Sequence, residues 1–481
     1  MKIQMLYNRR KIYVWRAVMK LRKVIIALGM AFVLITASMT ADAAKVVQVP
    51  AEEIDQVYNQ DVESNDIEKW PEGPQIYSEA GIVMDIDSGA ILYAKNIDDP
   101  HYPASITKVL TALVALEHSE LTDTVTVKQE DVSFLKSGDN HIGLKVNEEI
   151  TMEDALHGTL LASGNEVAHA VASSIEGGYE HFLELMNEKA KELGCKNSNF
   201  VNTHGLHDDE HYTSARDMAL IGAAAFQNEQ FREINGTHLY TIPETNITAE
   251  TRSFEHHHKM MFDWRSQYYE YCVGGKTGYT DKALNTLVTF ATKDGLNLVS
   301  VVLRTHGSGN TYVDTKAMLD YAFDNFTKVP VTKDMVDAKG LKSIAADSYV
   351  LLPKDITFEE LKAVVSEPKE LGNKNGEVVY SYEGVVVGKV TTTITDEYYN
   401  EIHGIKEQEK KPEKKSKGQP VILIVAEVIL GIFLVFVILF LLLLCYAAYK
   451  RKQRRKRRAE MRRRRRQLEY QKYWAEMQDD E

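Results

Sequence analysis

Ser105 and Lys108 stand three residues apart at the head of an apolar run, and that spacing can do acyl-transfer chemistry. A serine hydroxyl is a poor nucleophile until a neighbour takes its proton. Positions i and i+3 of a helix share a face, so Lys108 can lie beside Ser105. To act as a base its amine must be neutral, which needs burial and a second cation nearby. Lys276, opening Lys276-Thr277-Gly278, can be that cation if it arrives on a facing strand. Between them stands Ser163-Gly164-Asn165. The Ser163 hydroxyl can pass a proton to a leaving amine, and Asn165 can hold a peptide amide. Gly278 lets a substrate backbone approach without a side chain in the way. Backbone N–H groups of Ser105 and Tyr279 are the expected oxyanion donors.

Each triplet alone is weak. Ser-x-x-Lys recurs from Ser133 to Lys136 and from Ser366 to Lys369, and Ser-Gly-Asn recurs from Ser308 to Asn310. Lys-Thr-Gly occurs once. Taken singly, Ser105 is a helix cap, Lys108 a solvated first-turn residue, Ser163 to Asn165 a turn and Lys276 to Gly278 a strand end. Their joint order favours catalysis. The run His256-His257-His258 invites a metal, but alternate residues of an extended segment point apart and no carboxylate pattern accompanies them. These histidines are expected on the surface or lining a groove, with no metal and no cofactor.

The elements that must position these groups follow from periodicity. Ala80 to Ile86 and Ala90 to Lys95 read as two strands around the turn Asp87-Ser88-Gly89. Ser105 opens a helix with apolar positions at Val109, Leu110, Leu113, Val114 and Leu116. Helices are expected over Thr151 to Leu161, where Thr151 and Asp154 form a capping box, and over Glu166 to Ser174, Tyr179 to Leu193 and Ala215 to Phe226. Leu284 to Thr292 and Leu296 to Arg304 read as a hairpin through Asp294-Gly295. A helix from Asp314 to Phe326 closes the domain. Strands at both ends with helices between imply an α/β domain over residues 76–328, with an antiparallel sheet, a helical lobe and a cleft where they meet. Residues 329–403 are short β-rich runs, read as a small separate β domain. Residues 45–75 are polar and acidic and read as a loosely held lead-in; residues 404–420 are a charged tether.

Both chain ends suggest a membrane. A basic stretch leads into Val24 to Ile35, then Ala41-Asp42-Ala43-Ala44 suits a signal peptidase, so residues 1–44 are expected to be a removed signal. A signal of ordinary length would begin at Met19. Residues 421–449 are apolar apart from Glu427 and long enough to span a bilayer. Thirteen Lys or Arg within residues 450–466 then mark a cytoplasmic tail. The net charge of −12 hides a strong polarity, because residues 45–420 carry about −26. An acidic exported part argues against nucleic acid, and the basic tail suits anionic lipid. Only Cys195 and Cys272 lie in the exported part, which is no disulfide framework.

At these residues the chain resembles the serine D-alanyl-D-alanine carboxypeptidases, the low-molecular-mass penicillin-binding proteins. Tyr102-Pro103-Ala104-Ser105-Ile106-Thr107-Lys108 resembles their Pro-Ala-Ser-x-Thr-Lys block. Leu161-Ala162-Ser163-Gly164-Asn165-Glu166 is similar to their Ser-Gly-Asn-Asp block, with Glu166 replacing Asp. Phe200 to Leu206 and His211-Tyr212-Thr213-Ser214-Ala215-x-Asp217 resemble a further stretch, and Gly274-Gly275-Lys276-Thr277-Gly278-Tyr279-Thr280 matches the third block. The resemblance implies a β-lactamase/transpeptidase-like fold. It also implies an acyl-enzyme on Ser105 formed from a peptidoglycan stem pentapeptide, with Lys108 as base. Ser163 and Asn165 would guide protons and substrate, while Lys276, Thr277 and Thr280 hold the substrate or β-lactam carboxylate. Arg304 is too weak a candidate to include. The spanning helix departs from the amphipathic membrane helix common in such enzymes. A class A β-lactamase would need a deacylating carboxylate, for which Glu192, Glu233 and Glu244 lie in the right interval. A β-lactam-sensing receptor would need a larger cytoplasmic domain, and a non-catalytic wall-binding scaffold would have lost a nucleophile.

Overall fold

The computed structural model describes residues 50–368 and 372–405. The expected signal, spanning segment and tail lie outside these residues, and no described helix is long and apolar enough to cross a membrane.

A five-stranded antiparallel sheet in the order β2-β1-β9-β8-β7 carries the molecule. Its strands are β1 (Ser78–Asp85), β2 (Ile91–Lys95), β7 (Cys272–Thr280), β8 (Leu284–Lys293) and β9 (Leu296–Thr305). Two short hairpins lie between β2 and β7: β3 (Thr124–Thr126) with β4 (Glu149–Thr151), and β5 (Leu239–Ile242) with β6 (Arg252–Glu255). Period-two alternation decides which face each residue joins. Ala80, Ile82 and Met84 of β1, Val288 and Phe290 of β8, and Val299, Val301 and Leu303 of β9 pack with the helices. Val83, Leu287, Ala291, Leu298 and Val302 point to the opposite face, into a second cluster. Asp294 and Gly295 both take positive φ, 51° and 76°, as the expected tight β8–β9 turn requires.

The helices are α1 (Ala51–Tyr58), α2 (Lys108–His118), α3 (Gln129–Ser133), α4 (Met152–Leu160), α5 (Asn165–Ser174), α6 (Gly178–Glu192), α7 (Ala215–Gln227), α8 (Glu229–Asn235), α9 (Asn310–Asn325) and α10 (Asp396–Ile402). Helix α2 is buried from Lys108 through Leu116 and packs against α4 to α8, as an apolar-all-round sequence must. Thr151 caps α4: its hydroxyl accepts the Asp154 N–H at 3.1 Å, and the Asp154 carboxylate accepts the Thr151 N–H at 3.4 Å.

Residues 50–75 differ from the loose lead-in expected of them. Trp70 is buried, donates its indole N–H to Leu92 O at 3.2 Å, and packs with its ring tilted against Phe326, centroids 5.0 Å apart. Val57, Val62 and Ile76 are buried too. The buried Lys95 ammonium donates to Val57 O at 2.7 Å and to Ile76 O at 3.0 Å. A few apolar anchors spaced through an acidic stretch carry this packing, and average polarity conceals them.

Beyond α9 the chain passes directly into β10 (Phe326–Pro330), which pairs with β12 (Tyr349–Pro353). A four-stranded sheet follows, β11-β15-β14-β13, from β11 (Leu341–Ile344), β13 (Lys362–Ser366), β14 (Asn375–Tyr382) and β15 (Val385–Ile394). Val350, Leu352, Val387 and Val390 share the second cluster with Leu298, Met318 and Trp70. Cys195 and Cys272 are both free thiols.

Candidate active site

Ser105 lies in a 3₁₀ turn, Ala104–Thr107, and the α-helix proper begins at Lys108. With three residues per turn, i and i+3 eclipse. The expected adjacency is therefore tighter than an α-helix gives: Lys108 Nζ is 3.1 Å from Ser105 Oγ. The turn is held in an unusual shape, because Ala104 has φ 51°. A relay fixes it. The Val201 N–H donates to His211 Nδ1 at 3.1 Å, placing the ring hydrogen on Nε2, which lies 2.8 Å from Thr107 Oγ1. Thr107 in turn donates to the Ala104 carbonyl at 2.8 Å. Burial holds His211 down at about 4, so the ring stays neutral.

Lys108 is fully buried and meets two further acceptors, Asn165 Oδ1 and His204 O, each at 2.7 Å. A neutral amine has two N–H groups and one lone pair. Those two acceptors take both N–H groups and leave the lone pair for the Ser105 hydroxyl. Burial first, and then the Lys276 charge, hold the Lys108 ammonium well below its usual range. The carboxylates of Glu166 and Asp139 oppose this more weakly. The expected pairing of a buried amine with a serine hydroxyl, and a second ammonium nearby, is thus present as geometry.

Lys276 comes from β7, the edge strand of the sheet. Its Nζ donates to Ser163 Oγ and to Thr277 O, both at 2.9 Å. Burial alone pushes it down to about 7. Ser163 is buried with φ 60°, a second non-glycine residue in the left-handed region beside the site. Strain of this kind persists only where the surroundings impose it. Gly278 passes against Ser105: a Cβ there would lie 2.9 Å from the Ser105 nitrogen and 2.3 Å from Thr286 Oγ1.

Ser105, Lys108, Ser163, Asn165, Lys276 and Gly278 thus converge on one cleft. Tyr279 and Thr280 end the same strand, and their side chains have local partners. Tyr279 is exposed and donates to Asp281 at 3.1 Å, and the Thr280 hydroxyl accepts the Ala283 N–H at 3.0 Å. Arg304 is drawn to Glu79 at 2.6 Å, in keeping with its omission. His256 and His258 correct the expectation of a surface run: both are buried, and His258 Nε2 lies 2.8 Å from Thr289 Oγ1. The alternation of an extended segment put them inward and left His257 outside.

Three contributors were given no role by the sequence. The His204 carbonyl is backbone, and only the need for Gly205 hints at it: Gly205 has φ 80°, and a Cβ there would meet the Ala104 carbonyl oxygen at 1.9 Å. Phe134 stacks on His204 at 4.8 Å. Glu166, one methylene longer than Asp, accepts N–H groups from Ile142 at 2.6 Å, Gly143 at 3.0 Å and Leu144 at 3.4 Å. It ties that loop to the start of α5, where the Asn165 N–H also holds Asn140 O at 2.8 Å. Of the carboxylates weighed for deacylation, Glu192 is exposed beside Lys189 at 2.7 Å and Glu244 is exposed.

A serine beside a buried lysine, with a second lysine on a sheet edge, is one arrangement through which serine hydrolases form an acyl-enzyme. The family model of peptidase family S11, D-alanyl-D-alanine carboxypeptidase, matches residues 67–307. D-alanyl-D-alanine carboxypeptidase DacA of Haemophilus influenzae is 31% identical over 348 residues, covering 68% of this chain and 84% of that protein. DacF of Bacillus subtilis is 31% identical over 334 residues, 65% of this chain and 83% of that one. Crystal structures of penicillin-binding protein 5 from Haemophilus influenzae superpose with a TM-score of 0.54 at 28% identity, over 68% of this chain and 98% of that one. The chain belongs to the S11 family of D-alanyl-D-alanine carboxypeptidases.

Proposed function

We propose that this protein removes the terminal D-alanine from peptidoglycan stem pentapeptides through an acyl-enzyme on Ser105. The observation that carries the reading is the set of three partners around Lys108 Nζ: Ser105 Oγ at 3.1 Å, and Asn165 Oδ1 and His204 O at 2.7 Å. The neutral amine takes the Ser105 proton as Oγ attacks the carbonyl carbon of the penultimate D-alanine. Ser163, bonded to Lys276, then hands a proton to the departing amine of D-alanine. Lys276 and Thr277 hold the terminal carboxylate, while the N–H groups of Ser105 and Tyr279 receive the oxyanion, a stabilisation of about 2.7–4 kcal/mol per donor in known sites. Water cleaves the ester and releases the tetrapeptide. A β-lactam enters the same attack and remains as a slowly hydrolysed ester.

The decisive experiment incubates the purified full chain with diacetyl-Lys-D-Ala-D-Ala and measures free D-alanine, beside Ser105→Ala and a fluorescent penicillin. D-alanine release and a penicillin adduct, both lost in Ser105→Ala, are the expected results. Rapid penicillin hydrolysis without D-alanine release would move the protein to the β-lactamases.

The apolar and basic ends support a second part of the reading: residues 45–420 face the outside of a bacterial cell membrane, residues 421–449 span it, and the tail meets anionic lipid within. Protease added to intact spheroplasts should then remove the catalytic domain and spare an epitope on residues 450–481.

A further inference from the structure

A cleft of about 750 Å³ is lined among others by Tyr102, Lys196, Asp209, Lys282 and Arg304. Two of these residues are near neighbours in sequence of the active-site elements. Tyr102 precedes Ser105 by three residues, and Lys282 follows Thr280 by two. The direction of a bound peptide leads into it. With the terminal carboxylate at Lys276 and Thr277 and the attacked carbonyl at Ser105, beside Gly278, each earlier substrate residue moves about 3.3 Å further along β7. That path runs toward the turn at residues 281–283.

The charges of the cleft are unequal in their freedom. Glu79 lies 2.6 Å from Arg304 Nε and 3.0 Å from His306 Nε2. Arg304 also donates to Lys282 O at 3.0 Å. Asp209 lies 3.4 Å from the Tyr102 hydroxyl and 3.3 Å from His207 Nε2. The ammonium groups of Lys196 and Lys282 are both exposed; Lys196 acts at longer range on the Asp98 carboxylate, which the Arg216 guanidinium already holds at 2.7 Å. What the cleft offers a ligand is therefore exposed positive charge, with the Arg304 guanidinium behind it.

We propose that this cleft is a specificity subsite for a carboxylate carried by the acyl-donor peptide upstream of its D-Ala-D-Ala end, held by Lys282 and Lys196. The inference rests on the carboxypeptidase reading and adds to it the class of peptide preferred. In a wall stem peptide such a carboxylate has two sources, the side chain of the third residue or the α-carboxylate of a γ-linked second residue.

The test compares kcat/KM for three substrates with the full chain: diacetyl-Lys-D-Ala-D-Ala, N-acetyl-meso-diaminopimelyl-D-Ala-D-Ala, and N-acetyl-γ-D-glutamyl-(Nε-acetyl)Lys-D-Ala-D-Ala. Expected is a preference of about tenfold for one carboxylate substrate over the neutral one, carried by KM and reduced at high salt. In Lys196→Ala/Lys282→Ala that ratio should fall to about one. Whichever carboxylate substrate shows the ratio, and loses it in the variant, identifies the source. A ratio near one in the unaltered protein, or one unchanged in the variant, overturns the subsite while leaving the activity in place. If the neutral peptide itself is not cleaved, the carboxypeptidase reading fails and the subsite falls with it.

Discussion

Lys108 Nζ lies 2.7 Å from the carbonyl oxygen of His204, so one of the three contacts that orient the catalytic amine is made by main chain. No replacement of the His204 side chain can delete it. It can be moved only by displacing the peptide between His204 and Gly205, and that peptide is wedged against the Ala104 carbonyl.

Gly205→Ala should therefore behave as an active-site variant. The new Cβ would collide with Ala104 O at 1.9 Å in a backbone that L residues rarely adopt at φ 80°. Displacement of about 1 Å at a reacting group costs on the order of a hundredfold in rate. D-alanine release should fall at least that far while the far-UV circular dichroism stays native; a fall below tenfold would refute the wedge.

Lys276→Met should exchange function for stability. The folded ammonium titrates at about 7, below its ordinary 10.5, so the folded state binds fewer protons than the unfolded one between these values. The cost of burying the charge is full below pH 7 and vanishes as pH rises toward 10.5. Methionine removes that cost but also two hydrogen bonds. A gain on the order of 2 kcal/mol is expected at pH 6, passing through zero to a loss of about the same size near pH 10, as urea midpoints at each pH would show. The same variant relieves Lys108 of a neighbouring charge and raises its pKa, so the acid limb of penicillin acylation should shift to higher pH.

Glu166→Ala strips three N–H groups in the Ile142–Leu144 loop of their acceptor. Loss of about 2–3 kcal/mol should follow. Because Asn165 is held to the same loop through Asn140, penicillin labelling should also slow at temperatures where the protein remains folded. An unchanged labelling rate would confine Glu166 to stability.

Trp70→Ala separates packing from chemistry. Removing a buried indole costs about 3–5 kcal/mol, and Trp70 stands far from Ser105 in the second cluster. The urea midpoint should drop sharply with D-alanine release unchanged at low denaturant.

Much of this was legible in residues alone. Short apolar runs bounded by turn residues placed β1, β2, β8 and β9 within a residue or two of their observed ends, because both faces of these strands are buried. The three triplets were legible because their chemistry needs particular side chains. Groups that act through main chain were not: the His204 carbonyl has no residue type, and only Gly205 marks it. Residues 50–75 misled for another reason. Trp70 and Val62 each bury one side chain at long intervals, and no periodicity arises from single anchors. His256 and His258 misled because polarity suggested water, whereas the strand direction toward β8 decided burial.

The register of the sheet also governs how the molecule comes into being. Strand β1 pairs with β9, Met84 opposite Val299 and Ser78 opposite Thr305, across more than two hundred residues of intervening chain. Such contacts close late, since a long loop must be ordered before it is rewarded. The β1–β2 hairpin therefore waits, with one edge vacant, until β9 has emerged. The helical lobe that holds Ser105, Lys108 and Asn165 precedes β7 and can collapse earlier. Strand β7, which carries Lys276, reaches the rest of the sheet only through β8 and β9. The pairing of Ser105 with Lys276 across the cleft is therefore a property of the closed sheet and of no smaller part of the chain.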